Sequence, residues 1–197
     1  MKTIHRNLSI FAGAVLFAAV TMTATPHLQA QANMQTQSSA ATTPAQVVNQ
    51  LLSMAESDIV PLAEAMPAEK YNFAPTSGNF KGVRTFAAQV NHITNANFYM
   101  FGSAASMKPT NMPNVKTLKT KDEMVQALKD SFAFAHRAID TLNDKNVVEK
   151  IKPVDGIDTR VGVMLFAIIH MNDHYGQMVE YVRMNGIVPP ASQPSGK

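Results

Sequence analysis

Apolar residues recur at intervals of three and four positions in four segments of this 197-residue chain. Such spacing places apolar side chains along one face of an α-helix, whereas strict alternation would indicate a strand. The predicted helices span residues 44–66, 83–104, 120–142 and 158–185. We find no convincing strand pattern. Helices of about 20 residues bury their apolar faces best against one another, so the sequence predicts an all-α four-helix bundle over residues 44–192.

The residues that give each predicted helix its apolar face follow this spacing. In helix order they are Val47, Leu51, Met54, Ile59 and Leu62; Val83, Phe86, Val90 and Ile93; Met124, Leu128, Phe132, Ala135 and Ile139; and Val163 with Ala167. Because proline lacks the amide hydrogen that a helix interior needs, Pro61 is expected to kink or divide the first helix. A composition of 46% hydrophobic and 16% charged residues fits a globular core.

Two helix ends carry recognisable signals. Thr120 and Glu123 have the spacing of a capping box, in which each side chain accepts a hydrogen bond from the other residue's backbone amide. Gly186 can adopt the left-handed conformation that ends a helix, with Ile187 placed to contact Val182 in a Schellman arrangement. The third helix is therefore expected to begin after Thr120 and the fourth to end before Gly186.

The N-terminus has the features of a cleavable signal peptide over residues 1–32. Lys2 and Arg6 precede a mostly apolar run over residues 8–22, and a small-x-small cleavage site ends the segment. A polar linker over residues 33–43 follows. We therefore expect a periplasmic or secreted protein; an uncleaved membrane anchor is the alternative.

The expected mature chain is nearly neutral and contains no cysteine. The full sequence has 17 Lys and Arg against 14 Asp and Glu, and removing Lys2 and Arg6 leaves 15 against 14, or +1. Such a small net charge does not indicate a nucleic-acid-binding protein, since proteins of that kind usually carry a clear excess of positive charge. No other apolar run has the length of a membrane span, so no membrane contact is expected after signal removal. Residues 193–197 are expected to form a flexible tail.

Two histidines lie one turn apart on the apolar stripe of the last predicted helix, in the segment HMNDHYGQ. The stripe consists of Val163, Ala167, His170, His174, Gln177 and Tyr181. Imidazoles at positions i and i+4 on one helix face can bind a single ion. The same pair can also be core histidines with hydrogen-bond partners, and the residues alone leave both interpretations open.

A third histidine lies on a stripe of mostly small residues in the second predicted helix. The stripe contains Thr85, Ala88, His92, Ala96 and Tyr99. Small neighbours leave space around an inward-facing imidazole, and ligands from facing helices commonly build metal sites in bundle cores. Three histidine ligands would leave a coordination position open, as in catalytic zinc sites.

Other side chains are weaker candidates for a pocket near these histidines. His136 on the third helix could be a fourth ligand, a base or a structural histidine. Gln177 and Tyr181 could orient a bound water or substrate, or simply pack. Asn95 and Tyr99 could line a pocket. Met171 occupies the position of the glutamate in the HExxH motif, so the corresponding metalloprotease arrangement does not apply.

Three stretches together resemble the DinB-like superfamily of DinB/YfiT-type bundle proteins. They are FAAQVNHITNANFYM, HMNDHYGQMVEYVRMNGIVPP and, more weakly, NFAPTSGNFKGVRTF. The resemblance covers about residues 44–192. It implies a divalent metal ion, such as zinc, nickel, iron or manganese, held by His92, His170 and His174. It also implies a small-molecule substrate, and superfamily members are often homodimers.

The resemblance implies a thiol-dependent S-transferase or isomerase activity, although many superfamily members have no assigned reaction. A metal ion could instead activate water, which would make the protein a metal-dependent hydrolase. Export argues against a thiol cosubstrate, because low-molecular-weight thiols are kept reduced mainly in the cytosol. A non-catalytic bundle that binds a metal or small ligand in the stress response is the alternative.

Overall fold

The computed structural model describes residues 42–194. Its helices are α1 (Pro44–Ala65), α2 (Phe86–Ala105), α3 (Lys121–Ile139) and α4 (Arg160–Met184). Their number and order confirm the predicted four helices. No helix within the described range is long and apolar enough to cross a membrane. The predicted signal peptide, most of the predicted linker and the last three residues lie outside this range.

Local sequence signals set the helix ends. Thr43 caps α1 and forms a capping box with Gln46. Thr120 and Glu123 form the predicted capping box at the start of α3. At the end of α4, Gly186 has a φ of 74°. The amide of Ile187 donates to the carbonyl of Val182 at 3.2 Å and that of Gly186 to Arg183 at 2.9 Å, which confirms the predicted Schellman ending.

The prediction that no strands accompany the helices is wrong. Lys150–Val154 (β1) and Ile157–Thr159 (β2) form an antiparallel hairpin between α3 and α4. The turn residues Asp155 and Gly156 have φ values of 49° and 84°. Such positive values suit a type I′ turn, for which Asp-Gly is a preferred sequence. The turn signal was present, but the strands are too short and polar to show an apolar alternation.

The apolar face of α1 differs from the predicted one in its first half. Val47, Leu51 and Met54 are exposed, whereas Val48 and Leu52 are buried. Apolar residues occupy adjacent positions here, as Val-Val and Leu-Leu, so spacing alone could not decide which member of each pair faces inward. In the second half, Ile59 and Leu62 are buried as predicted.

Two further expectations about helices need correction. Of the two outcomes expected for Pro61, division of α1 is wrong, because the helix continues as one α-helix to Ala65. Burial of the neighbouring Ile59 and Leu62 offsets the backbone hydrogen bond that the proline removes. The second helix begins at Phe86 rather than Val83, because Thr85 caps it through a hydrogen bond to the Ala88 amide, and Val83 is exposed.

The helix α2 packs against both α3 and α4, and its pairing with α4 positions the candidate site. Buried Phe86, Phe101 and Met171 belong to the shared core. Arg160, at the start of α4, donates one guanidinium hydrogen bond to the Ala104 carbonyl near the end of α2 at 2.7 Å. A second bond joins it to the Glu149 carboxylate at 2.8 Å. The first contact joins the start of α4 to the end of α2, and the second ties Arg160 to the connection before the hairpin.

Candidate metal centre

The packing of α2 against α4 brings three histidines together. His92 lies in the middle of α2, and His170 and His174 lie one turn apart on α4. The Nε2 atoms of His92 and His170 are 3.1 Å apart, and those of His174 and His170 are 3.2 Å apart. Potential ligand atoms of all three residues lie within 4.8 Å of one another. We call these residues the histidine trio.

The donor set of the histidine trio fits a metal ion better than it fits hydrogen bonding. One proton can be shared between two facing imidazole nitrogens, but the Nε2 of His170 faces two others. This nitrogen has only one proton or one in-plane lone pair, so it cannot form two well-aligned hydrogen bonds at once. Nitrogens that bind one ion at about 2.0–2.1 Å lie roughly 3–3.4 Å apart, which matches the observed spacing. The histidine trio could therefore hold a divalent ion.

The surroundings of the histidine trio favour neutral imidazoles, the form that binds metals. Burial, followed by the neighbouring His170 and His92, lowers the pKa of His174 to about 4. Burial and then the Arg84 guanidinium lower the pKa of His92. Burial also lowers the pKa of His170, although the carboxylates of Asp173 and Asp155 oppose this. At neutral pH each ring therefore offers a lone pair.

A chain of side-chain hydrogen bonds runs from Gln89 through Gln177 to Asp173, beside the histidine trio. Gln89, with 1% of its surface exposed, donates from Nε2 to Oε1 of Gln177 at 2.7 Å. Gln177 donates in turn to Oδ2 of Asp173 at 2.9 Å. Within residues 42–194, buried His174 Nδ1 and Gln89 Oε1 have no hydrogen-bond partner. Histidine ligands usually donate this second nitrogen to an acceptor, so His174 Nδ1 would need one from outside these residues.

The sequence-predicted pocket residues are divided between several places. Asn95 and Tyr99 line cavities along α2, and 56% of the Tyr99 surface is exposed. The expectation that Tyr99 shares the inward stripe of His92 is therefore wrong; the stripe follows the border between core and surface. Tyr181 is buried, and its hydroxyl donates to the Arg84 carbonyl at 3.1 Å. It positions the backbone that leads into α2.

His136 lies between α1 and α3 and is not part of the histidine trio. Its Nδ1 is 2.8 Å from Oδ1 of Asn49, and its Nε2 is 2.9 Å from Oε2 of Glu56. Both ring nitrogens therefore have partners from α1. This arrangement suits a structural histidine that joins two helices, the alternative given above for this residue.

A cleft opens beside the histidine trio, between α2 and the connection that follows it. The cleft has a volume of about 450 Å³, and His92 is the member of the trio that lines it. Its wall also carries Arg84, Asn91 and Lys116. Sequence reasoning missed these residues, as it missed the burial of Gln89. Arg84 and Lys116 lie in loops, and only the fold brings them to one wall.

The fold and the histidine trio define a helical-bundle protein with a candidate three-histidine metal centre. The chain belongs to the DinB superfamily, whose family model matches residues 51–178. This confirms the resemblance seen in the sequence. No curated protein matches the chain significantly.

A solved structure shows the same fold. It is the crystal structure of the DinB-like protein YjoA from Bacillus subtilis, with a TM-score of 0.56 and 18% sequence identity. The match covers 74% of this chain and 99% of the Bacillus chain.

Proposed function

We propose that this chain is an exported metalloprotein that binds one divalent ion through His92, His170 and His174 and acts on a small molecule. The observation that carries the proposal is the convergence of three Nε2 atoms at 3.1 and 3.2 Å from two different helices. An ion held in this way would lower the pKa of a bound water or thiol and polarise a carbonyl group. Zinc, nickel, iron and manganese are the candidate ions.

The protein groups around the site have separable roles. Burial keeps His174 neutral and shields it from solvent. His92 connects the histidine trio to the cleft, where Asn91 and Asn95 offer amide groups to a ligand. These features support an accessible site on one side and a packed bundle core on the other.

Hydrolysis is the reaction class that we favour over thiol transfer. The chain has no cysteine, so a thiol would have to be a separate cosubstrate. The proposed export would take the protein to an oxidising compartment, where such thiols are scarce. Hydrolysis uses water as the nucleophile and therefore needs no thiol cosubstrate.

A non-catalytic bundle that binds a metal or ligand is the second candidate. It is favoured by one observation: no aspartate or glutamate is among the described residues that line the cleft beside His92. Hydrolytic metal sites commonly use a carboxylate as general base, and none is positioned on this wall.

A substrate screen on the metal-loaded mature protein distinguishes the two candidates. The screen would contain carboxylic esters, lactones and phosphoesters, with glutathione and chlorodinitrobenzene as the thiol-transfer arm. We expect hydrolysis that disappears with a chelator and in His170→Ala. Stoichiometric metal without turnover of any substrate would favour the non-catalytic bundle.

Export has its own test. The full chain would be expressed in a Gram-negative host, and the periplasmic fraction would be analysed by N-terminal sequencing. We expect a mature protein that begins at Asn33, after the Ala30-Gln31-Ala32 site. A full-length protein retained in the membrane fraction would support the uncleaved anchor instead.

A further inference from the structure

The cleft beside the histidine trio has a cationic wall. Arg84 and Lys116 both line it. Arg84 lines the same cavity as His92, so its guanidinium lies on the wall that adjoins the trio. Within residues 42–194, neither Arg84 nor Lys116 forms an ion pair with a carboxylate. Both charges are therefore available to a ligand.

Two acidic residues, Asp173 and Asp155, lie near the trio, and neither of them lines the cleft. Asp173, on α4, and Asp155, in the hairpin turn, act on His170. Asp173 also has a smaller effect on His174, and it accepts a hydrogen bond from Gln177. The cleft wall at His92 contains no acidic residue within the described chain. A divalent ion in the trio would add positive charge to this side.

A second cavity continues from the first along α2. Its volume is about 500 Å³, and the two cavities share Asn95 and Met112. Its wall is mainly apolar and includes Phe98, Tyr99 and Met107, with one cationic residue, Lys108. Tyr99 and Met112 are both exposed, so their apolar surfaces are accessible to a ligand. We call the two cavities together the α2 groove. One end adjoins His92 and carries Arg84 and Lys116, and the other end is mainly apolar apart from Lys108.

We propose that the ligand of the α2 groove is a small amphipathic oxyanion. Its carboxylate or phosphate group would bind Arg84 and Lys116 beside His92, and its apolar body would lie on Tyr99 and Met112. Guanidinium groups bind both oxyanions through paired hydrogen bonds, and an aromatic face offers apolar contact area. The proposal rests on the proposed function, because it names the ligand class of the same site.

Calorimetry with three probes tests the ligand class on zinc-loaded mature protein. The probes are 4-phenylbutyrate, its neutral amide 4-phenylbutanamide, and 3-phenylpropyl phosphate. We expect the carboxylate or the phosphate to bind about tenfold more tightly than the amide, since only the anions add charge–charge attraction to their hydrogen bonds with Arg84 and Lys116. Whichever anion binds with the higher affinity shows whether the site prefers a carboxylate or a phosphate. Equal binding of both anions and the amide, or no saturable binding of any probe at millimolar concentration, would overturn the proposal.

Single substitutions show whether the preference comes from the named residues. Arg84→Gln and Lys116→Gln should each weaken anion binding roughly fivefold and weaken amide binding much less. Lys81→Gln removes an exposed charge close in sequence to Arg84 and absent from the groove, so it should have no effect. Tyr99→Ala should weaken anion and amide by the same factor. Anion binding that is unchanged in both Arg84→Gln and Lys116→Gln would overturn the proposal.

Repeating the titrations after chelator treatment separates this inference from the metal proposal. If zinc binds but anions are not preferred over the amide, the ligand class is wrong and the metal proposal stands. If zinc does not bind, the metal proposal fails. The anion preference and its loss in Arg84→Gln then decide the ligand class by themselves.

Discussion

The Nε2 atoms of His92 and His170 lie 3.1 Å apart, although 78 positions of the chain separate these residues. This contact joins α2 to α4 inside the bundle, and His174 completes the trio from the next turn. One ring nitrogen of His170 cannot hydrogen-bond well to both neighbouring imidazoles, whereas one cation can bind all three rings. A metal ion bound there should therefore stabilise the packing of α2 against α4.

Zinc should raise the thermal stability of the mature protein through this cross-link. At a free zinc concentration about 100 times the dissociation constant, we expect the Tm to rise by roughly 5–10 °C. In His92→Ala, which removes the α2 ligand, the shift should fall to near zero. Differential scanning calorimetry with and without zinc measures both. An equal shift in the wild type and His92→Ala would show that zinc binds elsewhere.

Two glycines in α4 should respond in opposite ways to alanine. A Cβ at Gly162 would lie 2.5 Å from Oγ1 of Thr159 and 2.8 Å from Cγ2 of Ile157, so the hairpin would have to move. We expect Gly162→Ala to reduce the free energy of unfolding by about 1–3 kcal/mol. Gly176 has no atom within 4 Å of such a Cβ. Gly176→Ala should stabilise the helix by about 0.5–1 kcal/mol. Urea denaturation checks both, and an undiminished stability of Gly162→Ala would contradict the close contact between hairpin and helix.

Tyr71 should stabilise the folded state by an amount that decreases at alkaline pH. Its buried hydroxyl donates to the Ala63 carbonyl at 2.6 Å. Burial, and then the carboxylates of Glu64 and Asp122, raise its pKa well above the ordinary value of 10.0. The folded state therefore holds this proton more tightly than the unfolded state, so the contribution is complete below pH 10 and is lost as pH rises above it.

Comparison with Tyr71→Phe isolates that contribution. At pH 8 the variant should be about 1 kcal/mol less stable, because the Ala63 carbonyl loses its donor. The difference should shrink above pH 10, where ionisation of the unfolded chain destabilises only the wild type. Chemical denaturation at several pH values measures it. A difference that stays constant up to pH 11 would show that the Tyr71 pKa is not raised.

Sequence reasoning identified the histidine trio because the spacing of residues along a regular helix determines which face of the helix each one occupies. His170 and His174 continue the apolar face of α4, and His92 lies at helical spacing from the buried residues of α2. Helical periodicity alone could not show that the two faces meet. The family resemblance implied that they do, and the packing of α2 on α4 brings them together.

The features that sequence reasoning missed depend on tertiary structure or on short signals. The Val-Val and Leu-Leu pairs of α1 fit either face, and only packing selected Val48 and Leu52. The hairpin was signalled by its Asp-Gly turn alone. Arg84 and Lys116 come from two loops whose paths no periodic pattern describes. The cationic wall they form could therefore not be read from spacing.

The metal content of the purified mature protein tests the central claim most directly. Wild type, His174→Ala and His136→Gln would be reconstituted with zinc, nickel, manganese or iron, desalted, and measured by plasma mass spectrometry. We expect one divalent ion per chain in the wild type and in His136→Gln, and a loss in His174→Ala. No stoichiometric ion in the wild type, or equal amounts in all three proteins, would contradict a metal centre at the histidine trio.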